Sequence, residues 1–151
     1  MSENENKQLA RRFYEEYALS DAAKVRYVYE KYLAPDAVTH VGIPREDLNR
    51  EQTIQFDTTL VPVFPDMKLT VEDMVADGDR VIIRYIMQAT QEGAWMGTPA
   101  TGKKLVIKNV DICKISAGKI TEVWVFWGYP GMETQLGAIW GAHPKSSRKA
   151  Y

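Results

Sequence analysis

Residues 64–85 read FPDMKLTVEDMVADGDRVIIRY, and the periodicity within this stretch decides the fold. From Met67 onward apolar residues recur at alternate positions, which is typical of β-strands. The Asp77-Gly78 pair interrupts the pattern between two such runs and predicts the tight turn of a β-hairpin. The stretch therefore predicts two neighbouring antiparallel strands.

The alternation continues along the chain and predicts four strands in all, over residues 69–75, 80–91, 104–115 and 120–127. Short turns separate them, so we expect an antiparallel meander. Both faces of the second strand are largely apolar, and such a sheet has to be covered on both sides. Helices can cover one face, and we expect a second copy of the chain to cover the other in a homodimer.

The residues before this stretch have the spacing of helices instead. The first helix carries an apolar stripe formed by Leu9, Phe13 and Tyr17. A second helix is expected from Ala22 to about Leu33, with Pro35 stopping it. Asn49 and Gln52 have the spacing of a capping box, which predicts the start of a third helix. Helices followed by strands indicate a segregated α+β fold.

The composition indicates a single domain over residues 1–151, with flexible tails expected at residues 1–5 and 141–151. Its 19 basic and 20 acidic residues give a net charge of -1, which argues against a nucleic-acid partner. The single cysteine, Cys113, excludes an internal disulfide framework. The chain begins MSENENKQ, unlike a secretion signal, and contains no apolar stretch of membrane-spanning length. We therefore expect a cytoplasmic protein without a membrane partner.

Several catalytic sequence motifs are absent. The chain contains no phosphate-binding glycine loop, dinucleotide fingerprint, nucleophile elbow or pair of histidines at metal-ligand spacing. We therefore expect no cofactor and no metal. What remains is chemistry by acid, base and shape, which needs only titratable groups inside an apolar cavity.

Asp111 is the strongest candidate for such chemistry. It shares a strand face with Ile107, Asn109 and Cys113, so an acid and an amide lie on a pleat that is otherwise apolar. Burial there would raise its pKa toward the range of a general acid or base. The alternative is a structural carboxylate that accepts hydrogen bonds from Arg84 or from the neighbouring backbone.

Arg84 and His40 are further catalytic candidates, each with a structural alternative. Arg84 lies in the most apolar strand, where an unpaired guanidinium would cost on the order of several kcal/mol. It either pairs with a carboxylate such as Asp73 or Asp111, or it faces the cavity and stabilises a developing enolate or alkoxide. His40 is either a structural histidine or a second group for proton transfer.

Large apolar residues in two other segments are candidates for ligand contact. In the loop over residues 92–103, Trp95 and Met96 have no periodic partner. This loop either packs its own small core or forms a flap over a pocket. On the last strand Trp124 and Phe126 share one face, which we interpret as a wall of the cavity.

Five segments in order resemble the SnoaL-like polyketide cyclases, or ester cyclases, of the nuclear transport factor 2-like superfamily. They are LARRFYEEY, YLAPDAVTHV, residues 64–85, GAWMGTPATGK, and DICKISAGKITEVW followed by QLG at residues 135–137. The resemblance covers nearly the whole chain and rests on the order and spacing of these segments. It implies a conical cup, in which a curved antiparallel sheet is wrapped by three N-terminal helices, usually dimeric through the sheet.

The resemblance also implies ring closure without a cofactor, by an intramolecular aldol reaction in which a carboxylate removes a proton. His40 and Arg84 stand where family members commonly carry a histidine and an arginine. Gln91 stands where a histidine is usual, and Gly128 stands where the last strand usually carries the acid/base aspartate. Either another group, with Asp111 first and His40 second, transfers the proton, or the reaction needs no strong base.

The sequence thus predicts a cyclase or isomerase of secondary metabolism that encloses an apolar polyketide-like or terpenoid-like molecule. Ring closure would be assisted by acid and base or driven by the shape of the cavity. Arg84 and Gln91 would hold a carbonyl group. The other residues expected to contact the ligand are Trp95, Met96, Asn109, Trp124 and Phe126. The alternative is a non-catalytic small-molecule carrier or interaction module.

Overall fold

The computed structural model describes residues 1–17, 21–42, 46–128, 131 and 135–136. Within these residues three helices are formed, α1 (Glu3–Glu16), α2 (Ala22–Tyr32) and α3 (Arg50–Leu60). The strands are β1 (Leu33–Val41), β2 (Glu46–Asn49), β3 (Lys68–Asp77), β4 (Arg80–Thr90), β5 (Lys104–Ser116) and β6 (Lys119–Phe126). The predicted α+β class and the cup of curved sheet and helices are confirmed.

Each helix begins at a polar side chain that accepts a hydrogen bond from the first turn. Ser2 caps α1, and the Asp21 carboxylate caps α2 through the backbone N–H of Lys24 at 2.8 Å. The capping box predicted for α3 is present, with the Asn49 and Gln52 side chains each accepting from the other's backbone N–H at 2.9 Å. These caps fix where the helices start.

The strands form one sheet in the order β2-β1-β6-β5-β4-β3. The predicted meander from β3 to β6 is antiparallel throughout. Strand β1 lies parallel to β6, and β2 pairs antiparallel with β1, so the whole sheet is mixed. Neither β1 nor β2 was expected from the sequence.

Residues 3–5, where a tail was expected, form the first turn of α1. The second helix is confirmed to within one residue of its predicted end, since α2 ends at Tyr32 and Leu33 is its C-cap. The role predicted for Pro35 was wrong, because this proline lies inside β1 and does not stop the helix. Proline is tolerated there because the register of β1 against β6 shifts between Leu33 and Val38, which is the kind of irregularity where a missing N–H does little harm. The expected tail over residues 141–151 lies outside the described residues.

The two faces of the sheet have different surroundings. On β4 the inner residues are buried beneath the helices, namely Val81, Ile83, Tyr85, Met87 and Ala89. The alternate residues of the same strand, including Ile82 and Arg84, lie on the outer face. Helix α1 packs across β3 and β4, while α3 packs against β1 and β2. In the described part of the chain no helix has both the length and the apolar character needed to cross a membrane.

Candidate active site

A cavity of about 60 Å³ lies between the inner face of the sheet and the helices. By the same measure one water molecule needs roughly 10–15 Å³, so the cup holds open space. All three helices and all six strands contribute to its wall, which is largely apolar and aromatic. Two carboxylic acids also line it, Asp57 from α3 and Asp111 from β5.

Asp111 is held by two tyrosines. Its Oδ2 accepts hydrogen bonds from the Tyr14 hydroxyl at 2.5 Å and from the Tyr85 hydroxyl at 3.2 Å. Tyr14 comes from α1 and Tyr85 from the inner face of β4, so the carboxyl joins the helical layer to the sheet. Its second oxygen, Oδ1, is buried and accepts no hydrogen bond from the described residues. A buried acceptor without a donor favours either protonation of the acid or a polar group of a ligand.

Asp57 has a similar environment on the helical side of the cavity. The hydroxyls of Tyr17 and Tyr29 both donate hydrogen bonds to its Oδ2. Tyr17 follows the last turn of α1, Tyr29 lies on α2 and Asp57 lies on α3, so this cluster ties the three helices together. Asp57 is only 4% exposed.

Burial shifts the pKa of both acids toward neutrality. It raises the pKa of Asp111 to about 7 against the opposing hydrogen bonds from Tyr14 and Tyr85, and the charge of Asp57 adds to the rise. Burial likewise raises the pKa of Asp57 to about 6, although the bonds from Tyr17 and Tyr29 oppose it. Each acid can therefore take up or release a proton near neutral pH.

The two acid clusters are connected through α1. Tyr14 and Tyr17 are three residues apart, a spacing that places side chains on the same side of a helix about one turn from each other. One donates to Asp111 and the other to Asp57. Burial is the largest cause raising the pKa of either tyrosine, which keeps both hydroxyls protonated as donors.

Arg84 does not reach this site. It lies on the outer face of the sheet with its side chain 49% exposed, and it forms ion pairs with Glu72 and with Asp73 at 3.0 Å. The strand alternation explains this position, because Tyr85 is the residue that faces inward. The structural alternative given for Arg84, an ion pair with Asp73, is the arrangement observed.

His40 is buried, but the neighbouring Thr39 and Val41 line the cavity in its place. Its two ring nitrogens lie 2.6 Å from Asp47 Oδ1 and 2.8 Å from Glu122 Oε1. The ring also stacks on Trp124, with centroids 5.1 Å apart. These contacts join β2, β1 and β6 and favour the structural interpretation of this histidine.

Gln91 anchors the loop that follows it. The fully buried Gln91 side chain accepts a hydrogen bond from the Thr101 hydroxyl at 2.7 Å and donates to the Pro99 carbonyl at 3.2 Å. Trp95 packs edge-on against Phe64, while Met96 is 68% exposed. Gln91, Trp95 and Met96 are therefore outside the cavity wall, although Trp95 contacts Trp127, which is part of that wall.

The face of β6 that lines the cavity is the opposite of the one expected. Val123, Val125 and then Trp127 line the cup, whereas Trp124 stacks on His40 and Phe126 is 57% exposed. Successive residues of a strand point to opposite faces, so assigning one residue to the wrong face assigns every other residue of the strand wrongly as well.

Asn109 has a structural role next to Gly128. Its buried side chain accepts a hydrogen bond from the Gly128 backbone N–H at 3.0 Å. A Cβ atom at residue 128 would lie 2.7 Å from the Lys108 carbonyl oxygen and 3.0 Å from Ile107 Cγ2. This close approach of backbone to backbone leaves no room for a side chain at the position where the resemblance places an aspartate.

The sequence-based reasoning missed Asp57 and its tyrosines. A signal was present, because Asp57 lies three residues after Ile54 and three before Leu60, which puts the acid on the buried side of α3. Tyr14, Tyr17 and Tyr29 were recognised only as members of apolar stripes.

A cup of curved sheet and helices around an apolar cavity with buried acids defines a class of small-molecule-binding α+β domains. The chain belongs to the SnoaL-like polyketide cyclase family, whose model matches residues 8–136. Membership supports a cyclase role. No curated protein matches the sequence.

Solved structures show the same fold. AclR from Streptomyces galilaeus, a candidate hydroxylase, is 24% identical with a TM-score of 0.79, over 96% of this chain and 88% of that one. A candidate SnoaL-like polyketide cyclase from Jannaschia sp. CCS1 is 22% identical with a TM-score of 0.78, over 91% and 94% of the two chains. IdmH, a candidate polyketide cyclase from Streptomyces antibioticus, is 27% identical with a TM-score of 0.73, over 87% and 98%.

The raised pKa of Asp111 predicts a specific dependence of stability on pH. Because the folded pKa exceeds the unfolded one, the folded state binds the proton more tightly, and stability falls as pH rises from about 4 to about 7. At about 1.4 kcal/mol per pKa unit, wild type should lose about 2–3 kcal/mol more than Asp111→Asn between pH 5 and pH 8. Urea unfolding at both pH values measures this difference.

The matched control for that experiment is Asp73→Asn, which removes a carboxylate from the outer face. Its stability should follow the pH dependence of the wild type. If Asp111→Asn also follows the wild type, Asp111 titrates normally in the folded protein.

We expect Gly128→Ala to destabilise the fold, because the added Cβ meets the Lys108 backbone oxygen. Overpacking of this kind typically costs about 1–3 kcal/mol. Gly131→Ala is the control, since among the described residues a Cβ there meets only the Gln135 side chain, at 3.9 Å. Thermal unfolding compares the two variants, and equal midpoints would show that residue 128 tolerates a side chain.

Proposed function

We propose that this protein is a cofactor-independent cyclase or isomerase of secondary metabolism, acting on an apolar polyketide-like or terpenoid-like molecule. The observation that carries the proposal is the buried Asp111, which lines the cavity, has a pKa raised to about 7 and keeps one oxygen without a donor. Such a carboxyl can exchange a proton with a bound ligand at neutral pH. Family membership supports ring closure as the reaction.

Asp111 supplies acid/base chemistry that Gly128 cannot. The acid lies on β5 rather than at the end of β6, so it would approach a ligand from the middle of the sheet. The side chains of Tyr14 and Tyr85 hold its Oδ2, and no side-chain donor among the described residues reaches Oδ1. A proton would therefore enter or leave through Oδ1.

The rest of the cup contributes binding and exclusion of water. Its apolar lining favours an apolar ligand. Folding of a reactive chain inside the cavity brings the reacting atoms together. A low-dielectric wall also strengthens the interaction between a developing enolate and the hydrogen-bonded acids. Arg84 and His40 have no part in this mechanism, because the first lies on the outer face and the second is held by Asp47 and Glu122.

A non-catalytic carrier is the alternative function. The apolar cavity alone would serve it, but a carrier has no use for a buried carboxyl with an unpartnered oxygen, which destabilises the fold when charged. That oxygen favours the enzyme.

We also propose that two copies of the chain pair through the outer face of the sheet. Large apolar side chains are exposed there, and they include the cross-strand pairs Val75 with Ile82 and Val110 with Phe126. A contiguous apolar surface on a sheet is typical of a subunit contact. The curved sheet presents the same patch on each copy, as a twofold interface requires.

Asp111→Asn should lower the turnover number by a factor of about 10²–10⁴, because the amide cannot exchange a proton. Affinity should change only a few-fold, since the amide keeps the shape and accepts from the same tyrosines. Turnover of apolar poly-β-carbonyl compounds is followed by mass spectrometry, and binding by the fluorescence of Trp127 in the cavity wall. Asp73→Asn is the matched control. Stoichiometric binding of such a compound without conversion by the wild type would support the carrier.

Ile82→Lys should convert the dimer to monomer, because it places a charge in the centre of the proposed contact. Sedimentation equilibrium measures the mass. Lys24→Ala serves as the control, because Lys24 is an exposed residue of α2 and does not lie on the sheet. A wild-type protein that sediments as a monomer at every concentration would contradict the proposed interface.

A further inference from the structure

Asp57 is a second buried acid in the cavity wall that the proposed mechanism does not yet use. It comes from α3 on the helical side of the cup, whereas Asp111 comes from β5 on the sheet side. A ligand between these two walls would meet a carboxyl group on each side. Two acids on opposite sides of one substrate suit a reaction that removes a proton at one atom and adds one at another.

We propose that Asp57 is the general base of this enzyme and that Asp111 is its general acid, so that two carboxyl groups divide the proton transfer between the two walls of the cavity. The inference rests on the proposed function and assigns a separate role to each acid. Tyr17 and Tyr29 act as positioning residues, because they fix Asp57 through hydrogen bonds to one oxygen.

The proton balance defines the substrate class. The Asp57 carboxylate takes a proton from a carbon next to a carbonyl group, and the resulting enolate carbon attacks a second carbonyl carbon of the same molecule. One carbon–carbon bond forms, and the π electrons of the second carbonyl move to its oxygen, which takes the proton from Asp111. The product is a cyclic β-hydroxy ketone with the atoms of the open chain. The substrate is therefore an apolar chain with two carbonyl groups that can meet.

The enzyme is then left with a proton on Asp57 and none on Asp111. A single proton has to return from the first acid to the second before the next turnover. Tyr14 of α1 donates to Asp111, and Tyr17, which follows the last turn of that helix, donates to Asp57, so the two hydroxyls are candidates for the return of this proton.

The environments of the two acids agree with this division. Burial raises the pKa of both acids toward neutrality, and the charge of Asp57 raises that of Asp111 further, which agrees with an ionised Asp57 and a protonated Asp111 at rest. Pairs of acids whose pKa values are separated by their surroundings commonly serve as base and acid. Asp111 also feels the charge of Asp57, and this interaction keeps its proton in place while Asp57 is ionised.

The experiment uses two probes that differ in their need for an acid. Opening of 5-nitrobenzisoxazole needs a base to remove a carbon-bound proton, but its phenolate leaving group needs little protonation. Deuterium exchange at the α-carbon of 2-tetralone in heavy water needs a base for the carbon and an acid for the enolate oxygen. The 151-residue chain is assayed with both probes as wild type, Asp57→Asn, Asp111→Asn and the outer-face control Asp73→Asn.

We expect the rate of Asp57→Asn to be at least a hundredfold below that of the wild type in both reactions. For Asp111→Asn, the rate of deuterium exchange of 2-tetralone should fall at least a hundredfold, whereas the rate of opening of 5-nitrobenzisoxazole should fall less than tenfold. Asp73→Asn should match the wild type in both. The rate of exchange by the wild type should depend on pH with a bell-shaped profile. In Asp57→Asn any residual rate should lack the rise on the acidic side, because the base that ionises there has been removed.

The readouts separate the two proposals. If Asp57→Asn keeps both activities while Asp111→Asn loses exchange, the role of Asp57 is overturned and the proposed function stands. If Asp111→Asn keeps exchange, or if the wild type acts on neither probe, the proposed function fails and this inference fails with it. Folding of Asp57→Asn is checked by carbon-13 NMR of the carboxyl groups, where a folded variant retains the titration of Asp111 above pH 5 and lacks that of Asp57.

Discussion

The hydrogen bonds between buried carboxyl groups and tyrosine hydroxyls are the interaction on which the rest of this structure depends. Without them, two acids inside an apolar cup would leave their oxygens unsatisfied, at about 1–3 kcal/mol for each orphaned group. Tyr17 and Tyr29 join the three helices through Asp57, and Tyr14 joins the first helix to the sheet through Asp111. The same bonds that assemble the layers hold each acid by one oxygen. Architecture and chemistry are therefore coupled in this fold.

The sheet was largely predictable from sequence because its strands alternate clearly and are separated by turns rich in glycine. Strands β1 and β2 were not, since Pro35 and the shifted register of β1 hide the alternation, and β2 has only four residues. The orientation of β6 was wrong for a related reason. Val123, Trp124, Val125 and Phe126 are all apolar, so the pattern identifies a strand without showing which face is inside.

The candidate site was likewise only partly predictable from the sequence. Asp111 was identified because an acid among alternating apolar residues is conspicuous, and the structure places it in the cavity wall. For Arg84 the sequence indicated that a charge in an apolar strand needs a partner, but it left open whether that partner is a carboxylate or a ligand in the cavity, and the structure shows ion pairs with Glu72 and Asp73 on the outer face. Asp57 escaped notice because polar residues surround it in a helix of mixed character. Only contacts between distant parts of the chain reveal which carboxyls meet which tyrosines.

The attachment of the loop after β4 has a consequence for how this protein can diversify. Gln91 holds that loop through the Thr98 and Pro99 main-chain carbonyls and through the hydroxyl of Thr101, and Trp95 packs against Phe64 beside it, whereas the Met96 side chain is exposed. Exposed positions such as Met96 are therefore open to exchange during evolution or in a mutant library without disturbing the cavity wall, which the residue does not line. This outer part of the loop could acquire new surface properties while the buried acids and their tyrosines are inherited unchanged.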